Sequence, residues 1–220
     1  NYLVKKNFKS LYLIEKDYEL FIQLKNNFKE NKKIKILNED ALNYNFMSFY
    51  SCNNVIIIGN LPFNVSTQLL FKWLEEKKWP PFYKKMILMF QKEVAERILA
   101  DVNSKDYSRI TILTKWKFDI KKVTDVKPNS FFPKPKVHST VLEFVPKKKI
   151  HQIEDPRNLE KITKIFFNQR RKMIKKPFNQ LFNGDQRVLN KLKINLNLRP
   201  QNLNIDTYYK LAQEYENLRS

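Results

Sequence analysis

Val55-Ile56-Ile57-Ile58-Gly59-Asn60-Leu61-Pro62-Phe63 is the stretch on which the fold turns. Four consecutive β-branched residues predict a strand buried on both faces, and Gly-Asn-Leu-Pro ends it abruptly. Ser66-Thr67 then reads as the cap of a helix whose apolar face carries Leu69, Leu70, Trp73 and Leu74. A buried strand running straight into an amphipathic helix is the repeating unit of an α/β domain.

The same unit recurs on either side. Upstream, residues 11–14 form a short apolar run closing on Glu15-Lys16-Asp17, followed by helical spacing through Tyr18, Leu20, Phe21, Leu24 and Phe28. Residues 33–37 predict a second strand, closing on Glu39-Asp40-Ala41. Downstream, residues 86–90 predict a strand and 92–98 a helix. Ligands of such sheets sit beyond the carboxyl ends of the strands, which points to Glu15, Asp40 and Asn60. From Arg109 the pattern changes: residues 110–116 and 118–126 read as strands, and 137–144 alternates like a half-buried one. The expected sheet is therefore mixed, with an antiparallel edge. Residues 159–181 and 207–218 read as helices, with turns at Asn183-Gly184 and Arg199-Pro200. The expected division is an α/β domain over 1–154 and a small helical domain over 155–220.

Composition narrows the chemistry. The 220 residues carry 42 Lys and Arg against 22 Asp and Glu, a net charge of +20. With 42% hydrophobic residues the chain can bury a core. Gly59 and Gly184 are the only glycines, so no Gly-rich phosphate loop lies within these residues. Cys52 alone makes neither a disulfide framework nor a cysteine zinc site, and His138 and His151 do not suggest a metal. No apolar run reaches the roughly eighteen residues of a membrane span. The expectation is a soluble, intracellular, metal-free basic protein. Its charge has two readings, a polyanionic partner or a drift in composition toward lysine.

Each candidate residue also has a plainer reading. Glu15 could accept two hydrogen bonds from a ribose diol, or be a solvated acid beside Lys16. Asp40 could accept from an adenine amine with Ala41 leaving room for the ring, or cap a helix. An exocyclic aromatic amine is a poor nucleophile because its lone pair is delocalised. Asn60 Oδ1 and a backbone carbonyl at Leu61 or Pro62 could both accept from it and draw it pyramidal, with Pro62 holding the carbonyl rigid. Phe63 could stack on a base taken out of its helix. The alternative is a strand end, an Asn-Pro turn and a buried Phe.

Residues 60–67, NLPFNVST, resemble the catalytic motif of the ribosomal RNA adenine N6-dimethyltransferases. Residues 89–98 (MFQKEVAERI), 129–139 (NSFFPKPKVHS) and Gln169-Arg170-Arg171-Lys172 are also similar to that family's segments, in the same order. The resemblance runs from about Tyr12 to the C-terminus. It implies a Rossmann-like class I methyltransferase domain with an α-helical C-terminal domain, and S-adenosylmethionine as cofactor. It places Glu15 on the ribose, Asp40 and Ala41 at the adenine, and Asn60 at both methionine moiety and target amine, within a catalytic Asn60-Leu61-Pro62-Phe63. Phe63 stands where Tyr is commoner and keeps the π-face. Phe131 is implied as a second aromatic against the flipped base, with Phe132 assigned to packing. Lys134 and Lys136 are candidate phosphate contacts, Arg170 and Arg171 a candidate RNA-facing surface, and Glu93, Glu96 and Arg97 structural ion pairs.

The family's first strand and Gly-rich turn have no counterpart here, since Tyr12 to Glu15 corresponds to its second strand. The expectation is a part of a longer protein; the other reading is a domain that has lost cofactor binding. The implied activity is N6-dimethylation of two adjacent adenines near the 3′ end of small-subunit rRNA during ribosome assembly. The implied partner is that rRNA or the pre-assembled small subunit, met by a monomer in the cytoplasm or an organelle, without a membrane. The alternatives are a resistance methyltransferase of large-subunit rRNA and a non-catalytic RNA-binding assembly or transcription factor.

Overall fold

The computed structural model describes residues 5–52, 54–60, 63–76 and 78–219, with the backbone alone at 63 and 64. The chain divides into two compact units, Asn1–Ser48 and Phe49–Ser220.

In the first unit, β1 (Leu11–Glu15), α1 (Tyr18–Phe28) and β2 (Ile34–Asn38) form a βαβ element. The strands pair in parallel, Leu11 opposite Ile34 and Glu15 opposite Asn38. Asp17 caps α1, its side chain accepting from the Leu20 N–H at 2.9 Å. Asn38 Nδ2 donates to the carbonyls of Glu15 at 3.0 Å and Lys16 at 3.1 Å, so both strands end at one level.

The second unit contains β3 (Val55–Gly59), α2 (Phe63–Glu75), β4 (Tyr83–Gln91), α3 (Lys92–Leu99), α4 (Arg109–Lys117), β5 (Phe118–Val126) and β6 (Ser139–Pro146). The strand order is β3-β4-β6-β5, with β3 parallel to β4 and β6 antiparallel to both neighbours. The sheet is mixed, as expected. Strands β3, β4 and β5 thus run the same way, and their carboxyl ends share one end of the sheet with the amino end of β6. Ser139 lies there between Gln91 on one side and Val126 on the other. Met86 and Leu88 of β4 face Phe144 and Leu142 of β6, all fully buried, and Leu69, Leu70, Trp73 and Leu74 of α2 are buried as their spacing predicts. In α3, Arg97 pairs with Glu93 and Lys92 with Glu96 at 4.0 Å, the structural ion pairs expected.

Three elements differ from the sequence reading. Residues 110–116 belong to helix α4 and not to a strand. Ile110, Thr111, Ile112 and Thr114 look like strand residues, but Ile112, Leu113 and Trp116 are buried together with Thr111 and Thr114, so the helix is covered on every side and shows no amphipathic period. The Ser108 N–H donates to Thr111 Oγ1 at 3.0 Å, and Thr114 Oγ1 donates back to the Ile110 carbonyl at 2.7 Å, so the hydroxyls serve the helix. Helix α2 starts at Phe63, three residues before Ser66, which is buried within the helix and does not cap it.

The predicted helix over 159–181 is two, α5 (Pro156–Phe167) and α6 (Lys175–Phe182), followed by α7 (Gln186–Leu192) and α8 (Ile205–Asn217). The turn expected at Asn183-Gly184 is present, with φ of 50° and 73°. These helices share a compact unit with the four-stranded sheet. Tyr209 donates its hydroxyl to the Ile112 carbonyl at 3.0 Å, Tyr107 to Leu203 at 3.1 Å, and Trp116 Nε1 to His151 at 2.9 Å. Glu216 of α8 accepts from the N–H groups of Glu154 and Asp155 at 3.0 Å, beside the start of α5. The division expected at 154/155 therefore stands as a proposal about function, while the compact units part at Ser48/Phe49.

Lys117 is buried at the end of α4. Its Nζ donates to the carbonyls of Leu74 at 2.7 Å and Glu76 at 2.5 Å, filling acceptors left at the end of α2, and lies over the rings of Trp116 and Trp79. Burial lowers its pKa to about 8, with Glu76 pulling the other way. Between that value and the unfolded value near 10.4 the unfolded chain holds more protons, so stability rises with pH through this window. Chemical denaturation should show the wild type gaining on the order of 2 kcal/mol relative to Lys117→Met between pH 7.5 and 10. A constant difference would contradict the burial of this ammonium.

Candidate active site

In the first unit, two carboxylates stand at the carboxyl ends of β1 and β2. Glu15 is half-buried; Oε1 accepts from the Asp17 N–H at 2.9 Å, and its other oxygen has no hydrogen-bond partner among the described residues. Asp40 Oδ1 accepts from the Leu42 N–H at 2.9 Å and Oδ2 pairs with Lys16 Nζ at 2.8 Å. Its carbonyl accepts from the N–H groups of Asn43 at 2.8 Å and Tyr44 at 2.9 Å. Asp40 therefore caps a turn over 41–43, not the helix of its plainer reading, and Ala41 lies half-buried within that turn. The Glu39 N–H donates to the Glu15 carbonyl at 3.1 Å, which ties the two strand ends together.

This donor set suits an adenosine-bearing group. Glu15 offers an acceptor where a diol presents donors, and Lys16 fixes a second carboxylate beside a small residue. A cleft of about 580 Å³ in the same unit, lined by Phe8, Glu30 and Lys33 among others, opens at the amino ends of the strands, away from both carboxylates.

In the second unit, Asn60 directly follows β3. Its side chain is exposed and makes no hydrogen bond among the described residues. Leu61 and Pro62 lie outside the described residues, and Phe63 is placed as the first residue of α2 by its backbone. The loop of residues 127–138 leaves β5 and enters β6 at the same end of the sheet, so strand direction brings the two motifs to one end of it, with β4 between β3 and β6.

The loop is fixed at its base. Asp125 accepts from Thr140 Oγ1 at 2.7 Å and from Lys122 Nζ at 2.5 Å. Lys122 and the Thr140 hydroxyl hold its carboxyl below the usual carboxylate range, so it stays ionised. The Lys92 N–H donates to the His138 carbonyl at 2.9 Å, which joins the other end of the loop to the start of α3. Between these anchors, a 3₁₀ turn over Pro128–Ser130 presents Phe131, half-buried with extended backbone. Phe132 does not pack as expected: the residue is 102% exposed. Lys134 and Lys136 are exposed and make no ion pair among the described residues.

The two arginines of the tail differ. Arg171 is exposed. Arg170, expected to face RNA, donates instead to Gln201 Oε1 at 3.2 Å and to the carbonyls of Ser104, at 3.3 Å, and Lys105, which engages its guanidinium within the fold.

The sequence reading passed over Asp125 and Ser139. Ser139 is fully buried at the start of β6, and its hydroxyl has no partner among the described residues. The alternation gave no signal for Ser139, which shares the face of Val141 and Glu143 and not that of the buried Leu142 and Phe144.

The family profile described as ribosomal RNA adenine dimethylase matches residues 2–217. A relative from Pelagibacter ubique named ribosomal RNA small subunit methyltransferase A is 49% identical over 218 residues, covering 99% of this chain and 82% of the relative. The crystal structure of a dimethyladenosine transferase from Plasmodium falciparum is similar with a TM-score of 0.79 at 26% identity, over 95% of this chain and 82% of that one. The crystal structure of the 23S rRNA methyltransferase ErmE shares the fold, with a TM-score of 0.64 at 17% identity over 94% of this chain and 82% of that one. Motifs in the family's order, a mixed α/β sheet that carries them on its strand ends, and a profile match over nearly the whole length together mean that the chain belongs to the ribosomal RNA adenine dimethylase family.

Proposed function

We propose that this chain transfers methyl groups from S-adenosylmethionine to N6 of two adjacent adenines near the 3′ end of small-subunit rRNA, acting as a monomer on the assembling subunit in the cytoplasm or its organellar equivalent. The observation that carries the reading is the placement of Asn60 and the 127–138 loop at one end of the same sheet. The 49% identical relative bears the name of a small-subunit methyltransferase, which favours this target over large-subunit rRNA.

S-adenosylmethionine, when bound, supplies a methyl made electrophilic by the adjoining sulfonium. In this reading Glu15 holds the ribose diol, while Asp40 and Ala41 receive the adenine. Asn60 Oδ1 and a carbonyl at Leu61 or Pro62 accept from the N6 amino group of the target, turning its lone pair out of conjugation and toward the methyl. Phe63 and Phe131 stack on the extruded base from its two faces. Lys134, Lys136 and Arg171 neutralise phosphates, with Arg170 committed to the fold. The division of labour proposed is methyl transfer in 1–154 and RNA docking shared with 155–220.

Three measurements test this. Asn60→Ala should lower tritiated methyl transfer to small subunits by about 100-fold or more while RNA affinity by gel shift is retained. Comparable turnover would sink the catalytic assignment. Glu15→Gln should weaken S-adenosylmethionine binding in calorimetry by about tenfold or more, the effect of losing a charge-assisted hydrogen bond. RNA affinity should fall steeply with salt, by at least about 100-fold between 50 and 200 mM. A flat response would return the +20 charge to compositional drift.

A further inference from the structure

Phe132 has no role in the reading above. The residue is 102% exposed, although an apolar residue of this size is ordinarily covered. It lies on the 127–138 loop, at the sheet end that also carries Asn60. Phe131 has extended backbone, φ −123° and ψ 150°, so the side chains of Phe131 and Phe132 leave the chain toward opposite sides. One ring is half-buried and the other stands in solvent.

The surroundings are cationic. The loop holds Lys127, Lys134 and Lys136 and no Asp or Glu, and all three lysines are exposed. Its one flanking acid, Asp125, is engaged by Lys122 and Thr140. An exposed aromatic ring among unpaired lysines is complementary to a single-stranded nucleic acid, whose bases stack and whose phosphates meet the ammonium groups. A protein partner that covered an apolar ring would not need this cationic rim.

The geometry points to Phe132 as a second stacking platform, which takes an unpaired base of the same RNA next to the adenine that enters the active site. This rests on the proposed function and extends it to the neighbouring nucleotide. Phe132 is a positioning residue here: it sets where the strand lies and does not touch the reacting atoms.

The test titrates Phe132→Ala, Phe132→Leu and Phe132→Trp with a fluorescently labelled single-stranded oligoadenylate at low salt. Thermal melting should be unchanged in all three, because the ring packs on nothing. The Ala and Leu variants should bind at least about fivefold more weakly, and Trp should restore wild-type affinity, since it keeps a planar π-face that Leu lacks. In methyl transfer to small subunits the Ala variant should raise KM for RNA and leave kcat unchanged. Undiminished affinity of Phe132→Ala, or restoration by Leu as complete as by Trp, overturns the proposal. So does a loss confined to intact small subunits and absent on naked RNA, which would assign the ring to a protein partner. Oligonucleotide affinity is read without turnover, whereas the Asn60→Ala assay reads turnover, so either reading can fail without the other.

Discussion

Glu143 ties three strands together. It accepts from Lys85 of β4 at 2.8 Å and from Lys121 of β5 at 2.9 Å, with its side chain only 12% exposed. The two ammonium groups hold its carboxyl below the usual carboxylate range, so the clamp stays charged. An ordinary exposed ion pair does little for stability. The effect of this one lies in register: a slip of β6 by one residue would turn Leu142 and Phe144 outward and place Glu143 against the core. Every contact at the far end of β6 depends on that alignment.

With the register fixed, the functional end of the sheet follows from strand direction. Because β6 alone runs against its neighbours, the long connection between β5 and β6 must emerge where β3 ends. Asn60 and the aromatic loop are separated by about seventy residues of chain and yet share one sheet end. Asp125, with Thr140 across the strand pair and Lys122 beside it, then keeps the loop from swinging about its base. The carboxylate pair of the first unit is arranged by the same logic, on the ends of two parallel strands.

Much of this was legible in the residues, and the exceptions have physical causes. Residues 55–58 and the acidic closures after β1 and β2 were plain because uninterrupted runs of apolar, β-branched residues favour strands, although β3 is not buried on both faces as expected: Ile56 and Ile58 stand 47% and 53% exposed. Helix α4 was misread for the same reason: a helix buried on all sides writes such a run too, and β-branched residues tilt the balance toward strand. Ser66 looked like a cap because Ser is a preferred capping residue, but the Pro62 preceding Phe63 is an equally good mark of a helix start, and it lies four residues nearer the strand. Phe132 defied the rule that large apolar residues pack, which holds on average and fails at surfaces made to bind. Arg170 and Arg171 are adjacent and chemically identical; only the fold separates a guanidinium holding two loops from one facing solvent.

Helix α4 also sets the order in which the larger unit can assemble. Its nine residues are too few to persist as an isolated helix in water. One of its covers, Tyr209, comes 97 residues after Ile112 in the chain, and Leu203 comes 96 after Tyr107. A growing chain therefore carries the apolar surface of α4 through much of its own synthesis before α8 arrives to close over it. Such a unit completes its core late and offers uncovered surface to chaperones in the meantime. A protein whose proposed task is to finish ribosomes would itself close this core only after α8 has left one.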